Sequence, residues 1–189
     1  MRINDVLYYA PNVKLAFLLT AKPAEIVDIF KRRIDGYYLD AADILNKNKK
    51  AFGAGDLCFD AIDAIARYQI SSGRVGDRFK KWISRLPDFD KLTWEELERV
   101  YDEFRNGITH EARVKNGGQF TYDIDKAVKI LEGIVLINPD LLLKYISHEF
   151  NKEIVSINND PAEGERISQW IREDLREDVR SAHLEGLID

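Results

Sequence analysis

The spacing of apolar residues predicts amphipathic helices along most of the chain. From Pro23 onward, apolar side chains recur three and four positions apart, which is the stripe that a helix buries. The first such stripe comprises Val27, Phe30, Ile34, Tyr37, Ala41 and Ile44. Lys47 to Lys50 place positive charge at the end of this helix, where the helix dipole favours it. Residues 1–22 show no clear period, and both a short strand and a first helix fit them.

The same spacing predicts five further helices. They cover residues 56–70, 77–86, 93 to about 110, 123–137 and 141–154, with Gly53 and Gly55 breaking the chain before the first of them. The clearest start is Thr93-Trp94-Glu95-Glu96, a capping box in which the threonine hydroxyl and the glutamate carboxylate satisfy backbone amides. Behind it, an apolar stripe continues through Trp94, Leu97, Tyr101, Phe104 and Ile108.

Two other signals complete the expected fold. Lys115-Asn116-Gly117-Gly118-Gln119 is a strong turn, and it predicts a small hairpin that pairs residues 113–114 with residues 120–122. Asp160-Pro161-Ala162-Glu163 begins a last, acidic helix that Gly186 ends. The sequence therefore predicts an all-α protein: a helical bundle, a small hairpin after the helix that begins at Thr93, and an extra C-terminal helix.

Charge is unevenly distributed along the chain. The net charge is −5, yet residues 67–85 hold six basic residues against Asp77 alone, and residues 160–189 hold nine acids against four arginines. The basic middle permits a local anion site. A single cysteine, Cys58, excludes an internal disulfide and a multi-cysteine metal site, so a reducing, cytoplasmic setting is expected. Neither a signal peptide nor a membrane span is expected.

The stretch from Tyr101 to Glu111 is where candidate chemistry concentrates. Arg105, Asn106 and His110 lie within six positions, and on a helix Asn106 and His110 share a face. Arg105 and His110 would be roughly 140° apart on an ideal helix, and His110 would be about 200° from Ile108. His110 is therefore expected to face water, a cleft or a partner rather than its own core.

The run Arg105-Asn106-Gly107-Ile108-Thr109-His110 resembles the motif of the HEPN superfamily, which is an arginine, a polar neighbour and a histidine after four to six intervening positions. The resemblance covers roughly residues 24–137. It implies an N-terminal extension at 1–22, a HEPN-like helical bundle at 23–157, and an acidic C-terminal helix at 158–189 packed on or beside the bundle. Members of the family are commonly homodimers.

The resemblance also implies a function. Catalytic members are metal-independent endoribonucleases without a cofactor, often toxins or phage-defence effectors, so RNA and an antitoxin or defence protein are the expected partners. The implied catalytic residues here are Arg105, His110 and Asn106. Other members are inactive and only bind RNA, nucleotides or proteins, which leaves a non-catalytic RNA- or protein-binding module as the alternative.

The residue types suit cleavage of RNA through its 2′-hydroxyl, which leaves a cyclic phosphate and a free 5′-hydroxyl. A histidine can transfer protons near neutral pH, and an arginine can pair with phosphate oxygens as negative charge builds on them. Asn106 could orient His110 or donate to phosphate.

Other residues allow a functional and a structural interpretation. Arg74, Arg78, Lys81 and Arg113 are candidate RNA-binding residues, but the aromatic residues near the first three (Tyr68, Phe79 and Trp82) fit core positions better than a stacking surface. Asp56, Asp60 and Asp63 follow one side of a predicted helix. A solvated face is a better interpretation than a metal site, and one of these carboxylates could orient Arg105.

Overall fold

Helices occupy most of residues 2–3, 6–70 and 72–181, which are the residues that the computed structural model describes. The α-helices are α1 (Phe17–Thr20), α2 (Pro23–Ile34), α3 (Asp40–Lys47), α4 (Ala51–Gln69), α5 (Val75–Ile83), α6 (Trp94–Val100), α7 (Gly107–Glu111), α8 (Pro139–Asn158) and α9 (Pro161–Ser181). Two π-helical turns, Asp35–Leu39 and Tyr101–Asn106, join α2 to α3 and α6 to α7, and a 3₁₀ turn spans Phe89–Lys91.

The strands form two small sheets. Strands β1 (Arg2–Ile3), β2 (Val6–Ala10) and β3 (Val13–Lys14) pair antiparallel in the order β1-β2-β3. Strands β4 (Gln119–Phe120), β5 (Val128–Leu131) and β6 (Ile134–Ile137) form the second sheet in the order β4-β6-β5. The all-α prediction is therefore wrong, because the protein is mostly helical but contains two sheets.

The helix predicted over residues 123–137 is a β-hairpin instead. Glu132 and Gly133 have φ of 50° and 79°, as a two-residue type I′ turn requires, and Leu131 pairs with Ile134 across the turn. Burial alternates along the two strands: Val128, Val135 and Ile137 are buried, whereas Lys129, Leu131 and Ile134 are exposed. The valines and isoleucines of β5 and β6 are β-branched, which favours a strand.

The hairpin predicted between residues 113–114 and 120–122 does not form. The turn itself is confirmed: Gly118 donates its N–H to the carbonyl oxygen of Lys115 at 2.9 Å, with positive φ at Asn116 and Gly117. Gln119–Phe120 pairs in parallel with the end of β6 rather than with residues 113–114. The predicted partners, residues 113–114, were wrong, because the strand partner lies further along the chain in β6.

Several helix predictions are confirmed in outline. Thr93 accepts a hydrogen bond from the Glu96 amide at 3.2 Å, and the Thr93 amide donates to the Glu96 carboxylate at 2.8 Å. Asp160 caps α9, since its Oδ1 accepts from the amides of Ala162 and Glu163 at 3.1 and 3.2 Å. The predicted helix end at Gly186 lies outside the described residues.

The predicted break at Gly53 and Gly55 is wrong, because both residues lie inside α4. Gly55 provides space for an aromatic ring: a Cβ at this position would lie 2.1 Å from Cε1 of Phe120. A glycine that suggested a chain break instead allows close packing between a helix and a strand.

The chain forms two compact units, Met1–Tyr37 with Asn151–Asp189, and Tyr38–Phe150. In the first unit, α2 packs against α9 and β2. Arg172 on α9 donates to the carbonyl oxygens of Leu18 and Ala21, which fixes the N-terminal segment against this helix. The domain boundaries predicted after residues 22 and 157 are those of the expected HEPN-like bundle, and they stay a prediction.

In the second unit, α4 packs against α3, α5, β4 and the second π-turn. Its core is a cluster of phenylalanine rings: Phe59 stacks on Phe79 and on Phe104 at centroid distances of 5.7 Å, and Phe104 meets Phe120 edge-on at 5.0 Å. Phe79 and Trp82 are fully buried, which confirms their interpretation as core residues. In the described part of the chain, no helix has the length and apolar composition needed to cross a bilayer.

Candidate functional site

The π-turn Tyr101–Asn106 carries Arg105 and Asn106, and α7 follows it with His110. A π-turn has backbone hydrogen bonds from i to i+5 and so contains an extra residue, and such turns are frequent at functional sites. One extra residue rotates everything that follows by roughly 100° relative to an uninterrupted α-helix. The ideal-helix angle expected between Arg105 and His110 therefore does not apply.

Asp63 on α4 holds the Arg105 guanidinium. Nε and Nη2 of Arg105 donate to Oδ2 of Asp63 at 3.1 and 2.5 Å, and both side chains are about four-fifths buried, with exposures of 19% and 21%. The expectation that a carboxylate of this helix orients Arg105 is confirmed. Arginine has five N–H donors, so the pairing leaves donors available for a further acceptor.

Asn106 binds Arg105. Its Oδ1 accepts a weak hydrogen bond from Nη1 of Arg105 at 3.4 Å, which is longer than an ordinary N–H···O bond. Thus the structure brings Asp63, Arg105 and Asn106 into one hydrogen-bonded group.

Asp60 lies one helical turn before Asp63 on α4. Burial, together with the negative charges of Asp56 and Asp63, raises the pKa of its carboxyl to about 6, and the Arg105 guanidinium opposes this rise. Burial also raises the pKa of Asp56. A carboxyl with this pKa can take up and release a proton near neutral pH, which is a property of general acids and bases.

The side chains of Asp56, Asp60 and Asp63 are not arranged as the ligands of a metal ion. Among the residues that the structure describes, no three histidine, cysteine, aspartate or glutamate side chains meet closely enough to hold a metal ion. Asp63 therefore acts as the ion-pair partner of Arg105, and the Arg105 charge also opposes the rise in the pKa of Asp60.

His110 is exposed near the end of α7, as expected for a histidine outside the core. The helix ends at Ala112, whose φ of 54° is left-handed. The chain then returns close to Gly107, where a Cβ would lie 2.6 Å from the carbonyl oxygen of Arg113. Gly107 of the motif thus permits the tight return that follows His110.

Ion pairs connect residues of the segment after His110 to one another and to the π-turn. Glu111 pairs with Arg113 at 2.6 Å and with Lys115 at 3.1 Å, and Lys115 also pairs with Asp102 of the π-turn at 3.2 Å. The side-chain hydrogen bond from Lys115 is the main cause that lowers the pKa of Glu111. Glu103 of the same π-turn is buried and accepts from Arg99 at 2.9 Å, so it supports the core rather than the exposed site.

The candidate RNA-binding residues fall on two elements. Arg74 directly precedes α5, and Arg78 and Lys81 lie on it, where Arg78 donates to the carbonyl oxygen of Gly73 at 3.3 Å. Arg113 lies three residues after His110, in residues 112–115, which follow α7 and are called the return segment below, and its side chain is 62% exposed. Arg113 is therefore the candidate that chain connectivity brings close to the histidine.

An open groove of about 410 Å³ adjoins the return segment. Its lining joins the start of α4, the residues after α7 and the beginning of the second sheet, and consists of Phe52, Ala112, Arg113, Val114, Gly118, Gln119 and Phe120. Sequence reasoning did not identify this groove because it placed Phe52 in a break between helices. Phe52, Gly55 and Phe59 at helical spacing were the available signal, since a glycine between two aromatic residues on one face provides space for a third ring.

A second, polar cavity of about 320 Å³ lies where α3 ends and α8 begins, lined by Asn46, Lys47, Lys49, Tyr122, Asn138 and Asp140. Its two buried amides are hydrogen-bonded within the protein. Asn46 donates to the carbonyl oxygen of Pro139 at 3.2 Å and accepts from the Tyr122 hydroxyl at 3.0 Å, and Asn138 caps α8 through the amide of Asp140 at 3.0 Å. These hydrogen bonds connect the end of α3 to the start of α8, which indicates a structural role for the polar residues of this cavity.

No protein-family model matches the chain, and no curated protein or solved structure is similar enough to it to count as a match.

Proposed function

We propose that this protein is a metal-independent endoribonuclease of the HEPN type. The observation that supports the proposal best is the π-turn that carries Arg105. It places the guanidinium in a two-point contact with Asp63 and is followed at once by a short helix with an exposed His110. An oriented arginine close in sequence to an accessible histidine is the combination that acid–base cleavage of a phosphodiester needs.

In the proposed reaction, the 2′-hydroxyl of the substrate attacks the adjacent phosphate, and the bond to the 5′-oxygen of the next nucleotide breaks. The proton leaves the 2′-oxygen and a proton reaches the 5′-oxygen, so the products are a cyclic phosphate and a 5′-hydroxyl. His110 transfers one of these protons. Arg105 donates its remaining N–H groups to the non-bridging oxygens, while Asp63 holds the guanidinium in place.

The acidic side of α4 limits how a phosphate can approach. Asp56, Asp60 and Asp63 repel a phosphate near Arg105, whereas Arg113 and Lys115 in the return segment attract one. We therefore expect the phosphate to approach from the return segment. A homodimer would add a second Arg105 and His110 pair, and an antitoxin or defence protein would be the partner that controls the activity.

The test is incubation of the purified protein with total RNA in EDTA. We expect cleavage by the wild type and a loss of at least about 100-fold in the His110→Ala variant, since general acid–base catalysis contributes roughly 10²–10⁴-fold. Arg105→Lys keeps the charge but loses the two-point contact with Asp63, and its activity should also fall. His148→Ala is the matched control, because His148 is an exposed histidine on α8.

Two results would contradict the proposal: activity that disappears in EDTA, or activity retained in both the His110→Ala and the Arg105→Lys variants. The products give an independent check, because ends other than a cyclic phosphate and a 5′-hydroxyl require another mechanism.

The second candidate is a non-catalytic RNA- or protein-binding module of the same type. The pairing of Arg105 with Asp63 favours it, since a guanidinium already compensated by a carboxylate attracts phosphate less. In this case RNA shifts in a gel but stays intact, and His110→Ala binds it as tightly as the wild type does.

A further inference from the structure

The groove next to the return segment has one exposed aromatic wall and one rigid wall. Phe52 is 47% exposed, although it lies on α4, whose other phenylalanine, Phe59, is buried. Its ring meets Phe120 edge-on, at a centroid distance of 6.0 Å and an interplanar angle of 85°. Phe120 is fixed from behind by Phe104 and by the space at Gly55. The groove therefore has a preformed shape and an apolar ring in contact with solvent.

Polar groups complete the lining. The Arg113 guanidinium is 62% exposed and its pair, Glu111, is 38% exposed, so this ion pair contributes little and can open for another anion. The exposed Gln119 amide offers a donor and an acceptor at the same groove. An aromatic face, a guanidinium and an amide are the groups that proteins use to stack an unpaired base, hold its phosphate and bind its edge.

The position of the groove favours a nucleotide over an apolar peptide. Ala112 lines the groove and follows His110 by two residues, so their Cα atoms are at most about 7.6 Å apart. The volume of about 410 Å³ lies within the range that binds small ligands.

We propose that the groove formed by Phe52, Phe120, Arg113 and Gln119 is a subsite for one unpaired nucleobase of an RNA strand. The base stacks on Phe52, Gln119 binds its edge, and Arg113 binds the adjoining phosphate. This subsite rests on the proposed nuclease function and deepens it, because it places the strand so that the next phosphate lies towards His110. A base within a duplex cannot enter, since its faces are covered by its neighbours.

The test measures affinity in the His110→Ala variant, which should leave RNA intact. The probes are a fluorescein-labelled oligoadenylate, the same strand annealed to oligouridylate, and an abasic strand of equal length. Fluorescence anisotropy measures their binding, and the His110→Ala variant is the parent into which each further substitution is introduced. Phe52→Ala should weaken binding of the single strand roughly 5- to 160-fold, the value of one stacked base. Phe17→Ala is the matched control, since Phe17 is 48% exposed and does not line the groove, and it should bind like the parent.

Two further comparisons separate stacking from folding and from charge. Phe52→Leu keeps apolar volume without a ring and should bind weakly, whereas Phe52→Tyr should restore affinity. The abasic strand should bind equally to the parent and to Phe52→Ala. Arg113→Gln should weaken binding of the single strand and of the abasic strand, and reduce the slope of log affinity against log salt for these two probes by about one, as loss of one phosphate contact does.

Equal affinity of the parent, Phe52→Ala and Phe52→Leu for the single strand would overturn the subsite and leave the groove to an apolar segment of a partner protein. A duplex bound as tightly as the single strand would also overturn it. The two proposals fail separately. RNA bound through Phe52 but never cut by the wild type contradicts the nuclease alone, and RNA cut equally well by Phe52→Ala contradicts the subsite alone.

Discussion

Asp60→Asn should stabilise the protein at neutral pH. The Asp60 carboxyl has its pKa raised from 3.8 to about 6, first by burial and then by the charges of Asp56 and Asp63, against the opposing effect of Arg105. Its ionised form is therefore unfavourable in the folded state relative to the unfolded chain. Asparagine keeps the size of the side chain and removes the charge.

The direction of the change in stability with pH follows from how tightly the folded and unfolded states bind the Asp60 proton. Between pH 4 and pH 6 the folded state holds the Asp60 proton more tightly than the unfolded state does, so the contribution of Asp60 to stability falls as the pH rises through this window. A shift of about two pKa units corresponds to about 3 kcal/mol at most. Because Asp60 is only half-buried, solvent screens part of this, and we expect a gain of about 1–2 kcal/mol for Asp60→Asn at pH 7.

The assay is urea unfolding followed by circular dichroism from about pH 4 to about pH 8. The two proteins should have similar stability at the acid end, where the carboxyl is protonated, and should diverge as the pH rises to 6 and then stay apart. The difference between the two curves removes the effect of the carboxyls that do not interact with Asp60. Asp90→Asn, at an exposed aspartate, is the control and should show no such divergence.

A constant difference across the whole pH range would refute this reasoning, because it would show that the asparagine acts through packing rather than through charge. A variant that is less stable than wild type at pH 7 would refute it as well, since the carboxylate would then stabilise the folded state.

Two further substitutions test the fold. Gly55→Ala should destabilise the protein by about 1–3 kcal/mol in urea unfolding, because its Cβ would lie 2.1 Å from the Phe120 ring. Gly53→Ala is the control: its Cβ would lie 3.2 Å from a side-chain methyl of Leu45, and its stability should stay within about 1 kcal/mol of wild type. Equal effects of the two substitutions would show that the Phe120 ring moves freely. Thr93→Ala removes the hydrogen bond to the Glu96 amide and should cost about 1 kcal/mol, and an unchanged urea midpoint would mean that this helix end contributes nothing to stability.

The helices were predictable because their signals are local. The capping box at Thr93 and the proline-containing start at Pro161 act through backbone amides within three or four residues, so the sequence alone defines them. The burial of Phe79 and Trp82 followed from spacing along one helix face for the same reason. An orienting carboxylate for Arg105 was also foreseeable, since three aspartates follow one side of α4.

The second sheet was not predictable from the same pattern. The apolar residues at 130, 131, 134 and 137 fit both a helical stripe and an alternating strand, and the sequence spacing does not distinguish these when the run is short. The pairing of Gln119–Phe120 with β6 depends on residues about 17 positions away. Phe120 then occupies the space at Gly55, which gives the glycine a role that no neighbour in sequence indicates.

The sequence by itself determined where most helices begin, which faces they bury, and that an arginine, an amide and a histidine lie within six residues. Only the tertiary structure decided that a π-turn rotates this stretch, that Asp63 rather than Asp56 or Asp60 holds Arg105, and that Phe52 and Arg113 share a groove. The reason is physical: helix capping and amphipathic spacing act over a few residues, whereas ion pairing, burial and groove formation depend on which distant segments pack together.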